Sequence, residues 1–229
     1  MIPQQPTPNT VELYNIRPII NVSRKIALVG NSDSLLNKDF SKEIDAYPDV
    51  MRFNFSNILP KYTGTKTTIR WVNCPIDMHS AKQHVPILAN DYQFIQYVKK
   101  LFIGPKIIAW DSIKDKLHLF SKNIQVYKPN GLCTNKNVND YLDTLPNIKT
   151  RFDTSIESWP RTGFQAILTC IRSGCTPHLY GFDVTPRNVI YHYSKAQQYI
   201  TDKITEHQVK TEVNILKELV DNKYVVLHI

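Results

Sequence analysis

Short apolar runs alternate along the chain with longer amphipathic stretches. Such runs, rich in valine, isoleucine and leucine, are typical of strands that are buried on both faces of a sheet. Strands are predicted at 25–30, 49–54, 67–73, 106–110, 123–128, 176–183 and 223–229. Helices are predicted at 34–47, 136–145, 161–174 and 195–221, and Gly174 is expected to end the third of them.

This alternation predicts a single α/β domain with a mostly parallel, twisted sheet and helices on both faces. We assign residues 25–229 to this domain and residues 1–24, which are polar and proline-rich at the start, to an N-terminal arm. Ligands of such sheets collect at the carboxyl ends of the strands. We therefore expect the functional site near the residues that follow the predicted strands.

The first predicted strand ends in Gly30-Asn31-Ser32. The glycine permits a tight turn, Ser32 or Ser34 can cap the following helix, and the asparagine offers both a donor and an acceptor to a nucleotide. An ordinary strand-to-helix turn explains the same residues. Neither the G-x-G-x-x-G pattern nor a P-loop lysine is present, which disfavours NAD and ATP as ligands.

Composition narrows the choice of partner only slightly. The 229 residues carry a formal net charge of +8, which favours anionic ligands such as nucleic acid, lipid headgroups or phosphorylated small molecules. The basic residues are spread along the chain, however, so a solvated surface accounts for them equally well. The four cysteines form no C-x-x-C pair and suit a reducing compartment. Since no apolar stretch reaches the ~20 residues of a membrane span, we expect a soluble chain.

Four segments, in a fixed order, resemble the sialylmotifs of glycosyltransferase family 29, the animal-type sialyltransferases. Residues 26–73 contain "VGNS", "EIDAYPDVMRFN" and "GTKTT", which resemble the long motif. The segment 158–184, with "RTGF" and "YGFD", resembles the short motif. "YHYS" at 191–194 and "HQVKTE" at 207–212 resemble the two remaining motifs.

The resemblance implies a GT-A-like variant of the Rossmann fold and an inverting transferase. Such enzymes move sialic acid from CMP-sialic acid to a sugar hydroxyl of a glycan or glycolipid without a metal or other cofactor. The absence of a D-x-D triplet agrees with metal independence. A CMP-Kdo-dependent transferase, a non-catalytic CMP-binding or nucleic-acid-binding module and a lectin-like pseudoenzyme are the alternatives. We expect no nucleic-acid partner, because lysines are not clustered and no RNA-binding motif is present.

Carried over residue by residue, the resemblance makes His207 the general base and His192 a partner of the CMP phosphate, with Tyr193 shaping that site. Imidazole suits the first role because it exchanges protons near neutral pH. Five residues of a helix turn through roughly 140°, so Glu212 cannot lie over His207 in one helix. We therefore expect His207 in a loop, a helix that begins near Thr211, and a supporting role for Glu212.

The same resemblance assigns binding of the CMP-sugar donor to Asn31, Ser32, Asn54, Thr162 and Gly163, and a supporting role to Gly30. Arg161 replaces the family's serine before "TG". We count it as supporting, because an arginine there either adds a bond to a carboxylate or marks a different donor.

Other departures from the family concern cysteines and location. The animal enzymes' cysteine before the glycine turn is replaced here by lysine and isoleucine at 25–26, so the usual bridge cannot form. We expect Cys170 and Cys175 to be buried thiols. We expect a cytoplasmic enzyme with at most peripheral membrane contact, or one of the Golgi lumen if the chain is a truncated piece. Residues 75–156 are expected to hold the acceptor-binding surface.

Overall fold

The computed structural model describes most of the chain in several segments. These are residues 10–13, 25–56, 58–73, 96–97, 100–102, 104–109, 126–129, 131–156, 159–184 and 203–229. The part of the predicted helix at 195–202 and most of the N-terminal arm therefore lie outside the described residues.

One sheet of eight parallel strands forms the centre of the molecule. The strands are β1 (Thr10–Leu13), β2 (Lys25–Val29), β3 (Asp49–Phe53), β4 (Ile69–Val72), β5 (Lys106–Ala109), β6 (Val126–Pro129), β7 (Thr176–Tyr180) and β8 (Val226–His228). Their order across the sheet is β1-β6-β5-β4-β3-β2-β7-β8. The parallel sheet and seven of its strands were predicted from the sequence and are confirmed. The eighth strand, β1, lies in the segment that we assigned to an N-terminal arm.

Helices connect these strands. They are the 3₁₀ helix η1 (Asp33–Asn37), α1 (Ser41–Asp45), α2 (Pro60–Thr63), α3 (Asn135–Leu142), α4 (Thr162–Arg172) and α5 (Lys203–Asp221). The helix predicted at 34–47 is thus two short helices, η1 and α1. The α4 helix ends as predicted at Gly174, whose φ of +75° suits glycine. The Cys175 N–H then reaches back to the Cys170 carbonyl at 3.0 Å.

Helices cover both faces of the sheet, as the pattern predicted. On one face, alternate residues of the central strands pack with apolar residues of α3, α4 and α5. On the other face, Ala27, Val29 and Val50 pack with Leu35 of η1 and with the α1 region. The central strands are therefore buried on both sides, which explains their continuous apolar runs.

A hydrogen-bonded cluster of histidine and tyrosine side chains joins α1 to β7 and β8. His178 Nδ1 lies 2.8 Å from the Tyr47 hydroxyl and 3.0 Å from His228 Nε2. The Tyr180 hydroxyl donates to the Glu43 carboxylate at 2.7 Å, and its ring stacks on His228 with centroids 4.2 Å apart. His228 Nδ1 lies 2.9 Å from the same carboxylate oxygen. The strand β8 is therefore held by contacts that include two histidine side chains, whose charge depends on pH.

Burial lowers the pKa of both histidines below the ordinary value of 6.5. His228 and Lys25 add to this effect at His178, and Lys38 adds to it at His228. Attraction to Glu43 acts in the opposite direction on both rings without outweighing burial. Because its pKa is lowered, the His228 imidazole contacts Glu43 as a neutral ring at pH 7, so this contact is a hydrogen bond and not an ion pair.

This cluster predicts a loss of stability in mild acid. Because the folded-state pKa values are depressed, the unfolded chain takes up protons first as the pH falls through 6.5. We expect the free energy of unfolding to fall from pH 7 to pH 5, and to fall less steeply in His228→Gln. Urea unfolding at pH 7, 6 and 5 measures both slopes, and equal slopes would show that the cluster does not sense pH.

Candidate active site

The strand order creates a crevice at the carboxyl end of β2. From β2 the chain continues to β3 on one side, whereas β7 joins β2 on the other side. Parallel sheets bind ligands at such a reversal of strand order. The turns that follow β2 and β7 are thus the first candidates for binding.

These two turns cross in direct contact. Gly30 N–H donates to the Tyr180 carbonyl at 2.7 Å, and Ser32 N–H donates to the Gly181 carbonyl at 3.2 Å. A Cβ atom at Gly30 would lie 2.3 Å from the Gly181 carbonyl oxygen. Gly181 itself has a φ of +69°, and a Cβ there would lie 2.5 Å from Leu35 Cδ1. Both positions require glycine.

The Ser32 hydroxyl is engaged within this crossing. It donates to Asp183, whose two carboxylate oxygens both lie at 2.9 Å, and accepts from Ser34 N–H at 3.2 Å. Ser32 therefore caps η1, as predicted, and ties the β2 turn to the β7 turn. Asp183 was not predicted as a site residue, although it lies three residues after the end of β7, at the carboxyl edge of the sheet.

Asn31, in the same turn after β2, carries a buried acceptor. Within the described part of the chain, its Oδ1 is a buried oxygen that accepts no hydrogen bond. A buried acceptor without a donor costs about 1–3 kcal/mol. A ligand with an N–H or O–H group would remove that cost, which agrees with the nucleotide contact predicted for Asn31.

Asn54 lies at the carboxyl end of β3 with a φ of +47°. Its N–H donates to the Trp71 carbonyl at 2.8 Å, and its Oδ1 accepts from Asn73 N–H at 2.8 Å. Since only the oxygen can accept that bond, Nδ2 is left as a donor. An N–H donor at this edge of the sheet suits an anionic or carbonyl-bearing ligand.

The first turn of α4 packs against the residue that follows Gly181. A Cβ at Gly163 would lie 2.9 Å from Cε1 of Phe182, so glycine permits this close approach. Thr162 is the first residue of the helix and Arg161 is its N-cap. The N–H groups of this turn have no partner within the helix and are suited to an anion.

Glu212 holds this helix start from the neighbouring helix. Its buried carboxylate accepts from Arg161 N–H at 2.7 Å and from Arg161 Nε at 2.5 Å. The Arg161 side chain is 44% exposed, whereas that of Glu212 is 2% exposed. The carboxylate that Arg161 binds thus belongs to the chain itself, and the role of Arg161 toward the donor stays a prediction. The supporting role predicted for Glu212 thus has a physical basis in this contact.

The expectation of His207 in a loop is wrong. The α5 helix runs over Lys203–Asp221 and contains both His207 and Glu212. Around this helix the two side chains are separated by roughly 140°. They can share one helix because they need not lie together and have different surroundings. Glu212 is buried against Arg161, whereas His207 is exposed.

Polar contacts fix the helix next to His207. Gln208 is buried, and its Nε2 donates to Asn135 Oδ1 of α3 at 3.0 Å. The Asn135 amide in turn donates to the Asp153 carbonyl at 3.0 Å. Hydrogen bonds from Ser155 hold the pKa of Asp153 below its usual value, and the nearby His207 adds to this effect. Sequence analysis did not single out Gln208 or Asn135.

The other predicted catalytic residues, His192 and Tyr193, lie outside the described residues, and their roles stay predictions. Cys170 and Cys175 are buried thiols, as expected. Among the described residues, no group of three histidine, cysteine or acidic side chains is placed to hold a metal ion. None of the helices described is long and apolar enough to cross a membrane.

The strand order and the crossing of the two turns define an α/β domain with a parallel sheet. The sequence model of the family described as glycosyltransferase family 29 (sialyltransferase) matches residues 18–224 of this chain. The chain therefore belongs to this family, as its motifs indicated.

Curated relatives include two rodent sialyltransferases. The mouse CMP-N-acetylneuraminate-beta-galactosamide-alpha-2,3-sialyltransferase 2 is 23% identical over 206 residues, which cover 86% of this chain and 54% of the relative. The rat type 2 lactosamine alpha-2,3-sialyltransferase is 24% identical over 217 residues, which cover 89% of this chain and 64% of the relative. The chain thus spans between half and two thirds of the length of these relatives.

Solved structures of mammalian sialyltransferases share the fold. One, a complex with Gal-beta-1-3GalNAc-ortho-nitrophenol, matches with a TM-score of 0.52 and 18% identity over 90% of this chain and 69% of that chain. A second matches with a TM-score of 0.56 and 18% identity over 98% of this chain and 81% of that chain. The GT-A-like α/β fold predicted from the sequence is confirmed.

Proposed function

We propose that the protein transfers sialic acid from CMP-sialic acid to a hydroxyl of a glycan or glycolipid. The observation that carries this proposal is the meeting of motif residues at one edge of the sheet. The turn after β2, the turn after β7 and the start of α4 are joined there by backbone contacts, by the pair of Ser32 and Asp183, and by the packing of Gly163 on Phe182. Family membership over most of the chain supports the same activity.

The donor would be bound by complementary hydrogen bonds. Asn54 Nδ2 and the N–H groups at the start of α4 would donate to the anionic groups of CMP-sialic acid. The unpaired Oδ1 of Asn31 would accept from an N–H or O–H of the nucleotide. Both kinds of group are needed by a ligand that combines a base, a ribose, a phosphate and a sugar carboxylate.

Transfer itself would need a base and charge compensation. In this proposal, His207 removes the proton of the acceptor hydroxyl, which then attacks the anomeric carbon as the bond to the CMP phosphate breaks. His192 compensates the charge that develops on that phosphate. Attack on the face opposite the leaving group inverts the anomeric centre. The missing D-x-D triplet supports a reaction without a bound metal.

A CMP-Kdo donor is the second candidate, and the observation that favours it is Arg161 in the place of a family serine. The contact of Arg161 with Glu212 weakens this alternative, because it gives the arginine a role within the protein. The cytoplasmic location is also part of the proposal and is supported by the small number of cysteines, four in 229 residues.

CMP release tests the proposal. The purified protein is incubated with CMP-sialic acid or CMP-Kdo, with and without lactose, in EDTA. We expect release from CMP-sialic acid that rises with lactose, together with an α-linked product by NMR, since the donor is β-linked. Release only from CMP-Kdo would show that CMP-Kdo, and not CMP-sialic acid, is the donor. No release from either donor and no binding of CMP would refute it.

A further inference from the structure

Two arginines lie side by side in the interior of the sheet. Arg52 of β3 and Arg70 of β4 are register partners, and each is only 1% exposed. Arg52 Nη2 donates to the Thr63 carbonyl at 2.6 Å, and its Nε donates to Thr67 Oγ1 at 3.0 Å. Arg70 Nη1 donates instead to the Asn54 carbonyl at 2.8 Å. Buried guanidinium groups are costly, and that of Arg70 binds a candidate donor-binding residue, Asn54.

Asn54 needs such a restraint. Its φ of +47° is in the left-handed region, which is uncommon for residues other than glycine. Its N–H donates to the Trp71 carbonyl, its Oδ1 accepts from Asn73 N–H, and its carbonyl accepts from the Arg70 guanidinium. The three bonds together hold the backbone and the amide plane of Asn54 in one orientation.

We propose that Arg70 is a positioning residue of the donor site that acts through Asn54. It holds the carbonyl of Asn54, so that Nδ2 stays aligned for the anionic donor, and it places a permanent positive charge behind that amide. This inference rests on the proposed function. It assigns part of the affinity for CMP to a side chain that has no direct contact with the ligand.

The matched pair Arg70→Met and Arg52→Met separates this role from general stability. Both variants remove a buried guanidinium from the same layer of the sheet, so we expect both to lower the thermal unfolding midpoint. Calorimetric titration with CMP should show affinity weakened by about tenfold in Arg70→Met, as expected for one lost charge-assisted bond. Arg52→Met, whose bonds run to the loop before β4, should bind CMP as the wild type does.

A double-variant cycle tests whether the effect passes through Asn54. In the Asn54→Ala background, Arg70→Met should cause no further loss of CMP affinity. Independent losses that add would overturn the inference. In steady-state assays, Arg70→Met should raise KM for the donor and leave KM for the acceptor unchanged.

The pair Arg70→Lys and Arg52→Lys keeps both charges and applies if the methionine variants fail to fold. Lysine is a point charge without the planar fork of arginine, so Arg70→Lys should still weaken CMP binding more than Arg52→Lys. Equal CMP affinities in the two lysine variants would overturn the inference while the proposed function stands. A wild type that does not bind CMP would refute the proposed function itself.

Discussion

Replacing His207 with alanine is expected to lower the turnover of CMP-sialic acid by about 10²–10⁴-fold, the usual contribution of a general base. The side chain is exposed, and the neighbouring Gln208 anchors the helix through its bond to Asn135. The variant should therefore fold and bind CMP as the wild type does. Initial rates of CMP release with lactose present, together with CMP calorimetry, measure the two effects separately.

Lys217→Ala is the matched control, since this residue is exposed on the same helix. It should retain wild-type rates. If His207→Ala keeps more than about a tenth of the wild-type rate, a contribution of that size is too small for the base, and another group must take the proton. A parallel loss of CMP affinity in His207→Ala would indicate instead that the residue binds the donor.

The architecture could be predicted because parallel strands that are buried on both faces leave continuous apolar runs in the sequence. β1 was missed because it leaves no such continuous apolar run. Thr10–Leu13 is a four-residue edge strand, and its partner β6 lies more than a hundred residues away in the chain. The break between η1 and α1 was also missed; at this break the Asp39 carboxylate accepts from Ser41 N–H at 2.9 Å.

The candidate site was predicted at the level of motifs but not of contacts. The turn at Gly30 could be recognised from its residues, whereas its dependence on Gly181 follows from a crossing of two strands that are distant in the chain. The bond between Ser32 and Asp183 joins residues 151 positions apart. Local sequence patterns carry no information on such pairs. The same holds for Glu212, whose partner could be identified only from the structure.

The contacts of Glu212 also explain why two distant motifs belong together. His207 and Glu212 lie on α5, and Glu212 binds both the backbone and the guanidinium of Arg161 at the start of α4. A movement of the helix that carries the proposed base would therefore move the helix start that is proposed to bind the donor. If these proposed roles are right, the contact would hold base and donor in one geometry, as a bimolecular transfer requires.

The crossing of the two turns gives the second large expected effect. In Gly30→Ala, the new Cβ would lie 2.3 Å from the Gly181 carbonyl oxygen and 3.2 Å from Phe182 Cδ2. Backbone cannot yield as a flexible side chain can, so the β2 and β7 turns must separate. We expect a loss of about 1–3 kcal/mol in the free energy of unfolding. We also expect a loss of CMP binding, because Asn31 and Ser32 move with the turn.

Gly104→Ala is the control for this change. A Cβ at Gly104 would have no heavy atom within 4 Å, although its φ of +99° makes any side chain unfavourable. This variant should lose about 1 kcal/mol through backbone strain and keep its affinity for CMP. Urea unfolding and CMP calorimetry on both variants distinguish a clash at the crossing from the general cost of replacing a glycine. Wild-type CMP affinity in Gly30→Ala would mean that the turns can separate without harm, and that the donor does not depend on their contact.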